Sequence, residues 1–385
     1  MLQALVVACV VSAAPAAGPP VLVGLDLEYG HATSTSDDAI TRGALIAVDE
    51  INRAGGVLGG RPLQLVERDN RSNPARGVED LQELAALPDL VAVMGGKFSP
   101  VFIEQLPLAH QLDVILLDPW AAADVIVDNG RTPSFVFRLA MRDSWAVDAL
   151  LGQARRRGLG RVGLLLSNTA WGRSCEAAAR EWTAHHPGVR LAGTQWFNWG
   201  DETLLPRYRA LREAGAQAVL LVANEGEGAT LVRELARLPA AERLPILAHA
   251  GVTGGDFPAI CGAALREVDL SVVQAFSFFR TRSPRAAAVL EAARRRFRLT
   301  GPEAISSPAG LAQAYDLVHI LARAVDLAGT TDRRRVRDAL ERVRFGDGLV
   351  RRYGQPFSPT RHEALSPADL FLARWDARGV LVPLP

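Results

Sequence analysis

The sequence predicts an α/β fold built from two doubly wound, parallel-sheet lobes. Three observations lead there. The chain has 385 residues, more than one ordinary core of about 150 residues holds, so two domains are the starting expectation. Helical and strand periodicities alternate along most of its length, at the spacing of βαβ units. The stretch from Gly43 to Pro100 shows the unit most plainly, with a glycine break, Gly95-Gly96, after a buried strand. Loops at the carboxyl ends of strands are where open α/β sheets bind ligands.

Composition narrows the class. Hydrophobic residues make up 49% and charged residues 22% of the chain, the balance of a soluble globular protein. A formal net charge of +1 offers no reason to expect a nucleic-acid partner. The arginine runs 155–157, 294–296 and 333–335 fall at helix ends or on helix surfaces and read as solvated faces. No internal stretch reaches the roughly 18 apolar residues a membrane span needs. Leu2 to Ala14 is apolar and is followed by Ala14-Pro15-Ala16-Ala17, which reads as a secretory signal over residues 1–18 and a periplasmic location. Val6-Val7-Ala8-Cys9 also fits the pattern around a lipid-attached cysteine, the less favoured reading. Cys175 and Cys261 remain in the mature chain, and their separation does not say whether they pair.

Taken in order, Val21 to Leu27 is the first strand and Glu28 to Ser36 a polar loop. Ile40, Ala44, Ala47, Val48 and Ile51 share one face of a helix. Ser36, Asp37 and Asp38 stand before it as cap and first-turn acids, and Gly55-Gly56 ends it. A strand near 62–68 precedes a helix that starts at Pro74, a favourable first helical residue. Leu90 to Met94 is a buried strand, and Ser99-Pro100 opens the next helix. Strands follow at 114–117 and 135–139, and the chain first crosses between lobes at 138–143. The second series alternates helices at 144–157, 171–185, 204–214 and 227–238 with strands at 161–166, 189–197, 218–222 and 245–248. A strand at 268–275 leads back to the first lobe, where helices at 284–298, 308–327 and 332–343 pack. Residues 348–385 cross again. The lobes are thus 19–140 with 276–346, and 141–275 with 347–385.

The run AVDEINRAGGVLGGRPLQLVERDNRSNPARG, followed by the loop Gly95-Gly96-Lys97-Phe98-Ser99, resembles the type I periplasmic solute-binding proteins of ABC transporters. The likeness is to their leucine/isoleucine/valine-binding branch, and it continues more thinly from Val21 to about Val382. It implies a three-crossing hinge, a monomer, a small-molecule ligand held between the lobes, an ABC permease as partner, and no cofactor. It also implies site residues. Ser99 matches the serine that holds the ligand carboxylate, and its hydroxyl with the amides of Lys97, Phe98 and Ser99 stands at a helix N-terminus, an anion site on physical grounds too. Trp120, Ala121 and Ala122 match a second ligand loop, with Ala122 where a threonine is common. Trp171 matches an aromatic that covers the ligand, and Asn224 and Glu225 match a further contact. His249 lies in the loop that often supplies an acid for a ligand ammonium, but no acid stands there. Ser72 and Phe98 replace the cysteines of the family's small-loop disulfide.

Enzyme chemistry finds less support. Gly55 to Gly60 follows a helix, and Gly95-Gly96 lacks the Lys-Ser/Thr ending of a phosphate loop. No G-x-S-x-G, H-E-x-x-H or paired-cysteine motif occurs, so neither a catalytic nor a metal site is assigned. Arg361-His362-Glu363 reads as an exposed loop. The expected function is an extracytoplasmic solute-binding protein whose ligand is amino-acid-like or a small carboxylate or amide. A sensor of the same fold is the alternative, and an enzyme on a doubly wound fold the remote one. With Ala122 and Ala250 where an ammonium's partners would stand, the ligand is expected to be a small carboxylate or neutral amide, aromatic ones included, before leucine, isoleucine or valine.

Overall fold

The computed structural model describes residues 18–31 and 34–384. The expected leader, except Gly18, and Cys9 with it, lies outside the described residues. The chain opens with β1 (Val21–Leu27), α1 (Thr35–Arg53), β2 (Leu63–Asp69), α2 (Pro74–Ala85), β3 (Leu90–Gly95), α3 (Ser99–Gln111), β4 (Ile115–Asp118) and β5 (Val136–Arg138). Its five strands form a parallel sheet in the order β2-β1-β3-β4-β5. Every residue of β3 is buried, as a strand covered by helices on both faces requires.

Local signals set these boundaries. Pro74 opens α2, and the Asn73 side chain accepts from the amides of Ala75 and Arg76. Gly55 and Gly56 follow α1 at φ of 109° and 74°, and the Gly56 amide closes onto Ile51 O at 2.9 Å. Asp37 and Asp38 lie in the first turn of α1 as expected, whereas Ser36 is inside the helix and not its cap. The helix already begins at Thr35, and the Asp37 carboxylate accepts from the amides of Glu28 and Lys97 instead of capping its own helix.

The second series runs α4 (Asp143–Arg156), β6 (Arg161–Ser167), α5 (Ala170–His185), β7 (Arg190–Phe197), α6 (Leu205–Glu213), β8 (Ala218–Val222), α7 (Glu225–Ala236), β9 (Ile246–Ala248), α8 (Phe257–Cys261) and β10 (Leu270–Gln274). The chain returns through α9 (Pro284–Phe297), α10 (Pro308–Ala328) and α11 (Arg333–Leu340), with α10 lying along α1. A small hairpin follows, β11 (Phe345–Asp347) with β12 (Arg352–Gly354), and then β13 (Phe371–Trp375) and β14 (Leu381–Pro383). The second sheet has the order β14-β13-β10-β9-β8-β6-β7. Its strands from β7 to β10 are parallel, while β13 and β14 add antiparallel at the β10 edge, which the sequence reading did not foresee.

Residues 349–364 lie against the first sheet and its helices. The amides of Leu349 and Val350 donate to the Asp316 carboxylate on α10, and Phe357 packs edge-on against Phe137. The segment expected as an exposed loop is buried at His362 and Glu363 and pairs with β5. Arg138 N donates to His362 O at 2.8 Å and Ala364 N to Arg138 O at 2.9 Å. The Arg138 guanidinium is wholly buried. It reaches Glu363 by Nε at 3.0 Å and Nη2 at 2.5 Å, and the carbonyls of Ala121 and Ala123 by Nη1. A polar triplet reads as solvated when its partner lies 225 residues away.

Cys175 and Cys261 are both buried and form no disulfide with each other. No helix among the described residues is long and apolar enough to cross a membrane.

Candidate functional site

The carboxyl ends of the parallel strands of both sheets face one another across a cleft. In it lies a small cavity of about 30 Å³. The lobes are therefore close together around a small pocket. Several bonds fasten them there. Thr35 Oγ1 donates to Gly254 O at 2.7 Å, Ser36 N to the same oxygen at 3.0 Å, and Ser307 Oγ to Thr253 O at 2.7 Å. Phe98 and Trp199 meet across the cleft with ring centroids 5.2 Å apart.

Eight of the ten residues expected at the site line this cavity: Lys97, Phe98, Ser99, Trp120, Ala122, Trp171, Asn224 and His249. Two do not. Ala121 is buried behind the wall, where its carbonyl accepts from Arg138 Nη1 at 3.2 Å. Glu225 is the first residue of α7, outside the lining, with its carboxylate 4.0 Å from Lys97 Nζ. The wall also holds Pro100, Ala140, Met141, Trp199, Ala250, Gly251, Ala309 and Gln313. Trp199 carried a usable signal, an aromatic just past the carboxyl end of a strand. Ala309 and Gln313 carried none, because only the packing of α10 brings them to the cleft.

Ser99 is the first residue of α3, and its Oγ accepts from Ala123 N at 3.3 Å, which leaves the hydroxyl proton to donate elsewhere. Trp120 is set by its own amide, which donates to Asp118 Oδ1 at 2.9 Å. Trp171 Nε1 donates to Asp143 Oδ1 at 3.0 Å, and its ring lies against Gly251. A Cβ at Gly251 would stand 2.3 Å from the indole, so only glycine leaves room for it. His249 meets the Trp171 ring edge-on at 5.1 Å. Its Nε2 is 3.2 Å from Asp143 Oδ1 but off the hydrogen-bond direction, and neither ring nitrogen has a hydrogen-bond partner among the described residues. Asp143, Cys175 and His249 bring ligand-type atoms within 4.8 Å of one another, the described group with metal-ligand chemistry. Burial, and then Asp143, push the Cys175 thiol well up, so it stays protonated. Asp143 thus holds Trp171, with Cys175 and His249 beside it.

Beside the wall lies a buried charge cluster. Lys97 Nζ is 3.0 Å from Glu28 Oε2 and 4.0 Å from Glu225 Oε1, and 4.8 Å from the centroid of the Phe98 ring. Burial pushes the Asp37 carboxyl up to about 7, with the Lys97 ammonium opposing. Glu225 is also raised by burial, again against Lys97. No aspartate or glutamate lines the cavity itself among the described residues.

A family profile described as periplasmic binding protein matches residues 29–379. The leucine-, isoleucine-, valine-, threonine- and alanine-binding protein of Pseudomonas aeruginosa is 24% identical over 333 residues, 86% of this chain and 82% of that protein. A type 1 periplasmic binding protein from Bordetella pertussis Tohama I superposes with a TM-score of 0.84 at 20% identity, over 95% of this chain and 100% of that one. An ABC transporter solute-binding protein from R. palustris, solved with benzoate, superposes with a TM-score of 0.76 at 19% identity, over 95% of each chain.

Proposed function

The chain belongs to the periplasmic binding proteins, and on that footing we propose that it captures a small carboxylate or neutral amide-like compound, aromatic in preference. The ligand sits between the lobes, outside the cytoplasm, and is handed unchanged to the permease of an ABC transporter. Following the packing of residues 349–364 beside β5, we take the first lobe as 19–140 with 276–365 and the second as 141–275 with 366–385. Closure of the lobes around the ligand is the hinge motion that such proteins use.

The observation that carries the reading is the cavity wall. It offers three tryptophans, Phe98 and Met141, and no carboxylate. An amino acid would have to bury its ammonium without a counter-charge on that wall, at a cost of several kcal/mol. Ser99, at the N-terminus of α3, supplies the anion end. The ligands attached to the relatives' names fall on both sides, amino acids for the Pseudomonas protein and benzoate for the R. palustris one. This wall resembles what benzoate needs. Of the proposed contacts, Lys97, Phe98, Ser99, Trp120, Ala122, Trp171, Asn224 and His249 belong to the wall, and Glu225 acts from behind it.

A thermal-shift panel of benzoates, aliphatic acids, amides and branched-chain amino acids tests this on the mature chain. A ligand that binds only the native form adds about 2.7 kcal/mol at a hundred times its Kd. Benzoates or other carboxylates should raise Tm and leucine should not. A panel without any shift, or a shift confined to leucine, isoleucine and valine, overturns the reading.

A further inference from the structure

We infer that Glu28 and Glu225 form an ammonium-binding subsite, one carboxylate from each lobe, which Lys97 fills from within the chain. The inference rests on the cleft being the ligand site, and it names the device that selects against ligands bringing an ammonium of their own.

Lysine is among the residues least often buried, yet the Lys97 side chain is only 3% exposed. Its Nζ lies 3.0 Å from Glu28 Oε2 and 4.0 Å from Glu225 Oε1, and faces the Phe98 ring at 4.8 Å. Two carboxylates and an aromatic face are what a desolvated primary ammonium requires. Glu28 follows β1 and Lys97 follows β3, neighbouring strands that mark the switch point of the first sheet. Glu225 comes from the other lobe, at the start of α7.

The second carboxylate is held in place from behind. Glu225 Oε2 is buried and has no hydrogen-bond partner among the described residues. Gly254 and Gly255 pack against it, and a Cβ at Gly255 would stand 2.4 Å from Glu225 Cγ. That glycine pair lets the backbone lie flat on the acid and shuts it off from water. The acid that the cavity wall lacks is therefore present one layer back, and its cation is already supplied. A tethered ammonium competes at high effective concentration with any free one, so leucine meets a filled subsite. The Lys97–Glu225 approach also joins the lobes, which lets the cleft close on a ligand with no positive charge.

The test empties the subsite and offers it an external cation. Lys97→Ala removes three carbons and the ammonium, the atoms of n-propylammonium. With 100 mM n-propylammonium chloride, the melting temperature of Lys97→Ala should rise by about 2–4 °C over the same concentration of sodium chloride. Wild type should show no such rise, nor should Lys97→Ala/Glu225→Gln. A folded Lys97→Ala protein that responds equally to both salts overturns the inference. Lys97→Met keeps the volume of the stem and serves if the alanine variant does not fold. It should bind leucine at least about tenfold more tightly than wild type, and unchanged leucine affinity overturns the inference as well. The propylammonium response needs no natural ligand. It therefore stands or falls apart from the carboxylate panel, whose failure would remove the proposed ligand class and leave the subsite.

Discussion

Glu363→Ala should be among the most damaging single substitutions outside the cleft. It removes both carboxylate oxygens from a wholly buried guanidinium, at Nε (3.0 Å) and Nη2 (2.5 Å). Breaking a buried pair by deleting one partner costs about 3–5 kcal/mol, because the remaining charge is left uncompensated. Here the structure points to the lower end. Arg138 keeps the carbonyls of Ala121 and Ala123, and Asp118 Oδ2 lies 4.0 Å from Nη1. Burial pushes the Asp118 carboxyl up to about 7, and Glu363 contributes to that rise, so removing Glu363 leaves Asp118 readier to ionise and stand in. A loss of about 3 kcal/mol is expected, read as a fall in the urea midpoint followed by tryptophan fluorescence. Arg138→Met, which takes the guanidinium from Asp118 and leaves Glu363 only Arg142 at 3.8 Å, should cost at least as much. The double variant Arg138→Met/Glu363→Leu should be more stable than the two single losses summed, by about 2 kcal/mol or more. Additive singles, each below about 1 kcal/mol, would refute the reasoning and place the pair among solvated ones.

Two further outcomes follow from the geometry. Ser99→Ala should weaken carboxylate binding by about 1.5–3 kcal/mol in a calorimetric titration and change the stability of the ligand-free protein by less, since the bond from Ala123 N is long; unchanged affinity would reduce Ser99 to a structural residue. Asp26 is pushed up to about 8, by burial first and then by Asp80. Its folded value therefore exceeds the unfolded one, the native state holds the extra proton, and stability falls as pH rises from about 4 toward about 8. Asp26→Asn cannot ionise, so its melting temperature should gain on wild type as pH goes from 5 to 8.5, and parallel curves would count against the assignment.

What the sequence revealed was what acts locally. Pro74 with Asn73, the pair Gly55-Gly56 and the apolar run of β3 each decide their own few residues, and the first sheet follows from them. Half of the cavity wall, eight of its sixteen residues, was legible for the same reason, because strand ends can be located and their loops must face the cleft. Reading failed where a side chain's partner is remote. Asp37 has the position of a first-turn acid, but two loops from other strands present amides to it. His362 and Glu363 look solvated until β5 is laid beside them. Ala121 and Trp120 are adjacent, and only the direction of the backbone decides which one faces the cavity. Trp199 contributes to the wall through Phe98, a contact between residues that no periodicity connects.

The interleaving of the two lobes has a bearing on how the chain is made. The apolar face of α1 is covered by α10, so residues 35–53 wait for residues 308–328. The sheet begun at Arg161 is not finished until β13 joins β10, and β13 ends at Trp375. A ribosome producing this polypeptide from its N-terminus therefore releases nearly all of it before either half can complete its packing, although compact domains often fold as soon as they emerge. Both halves therefore reach their final packing only once the C-terminal strands have arrived.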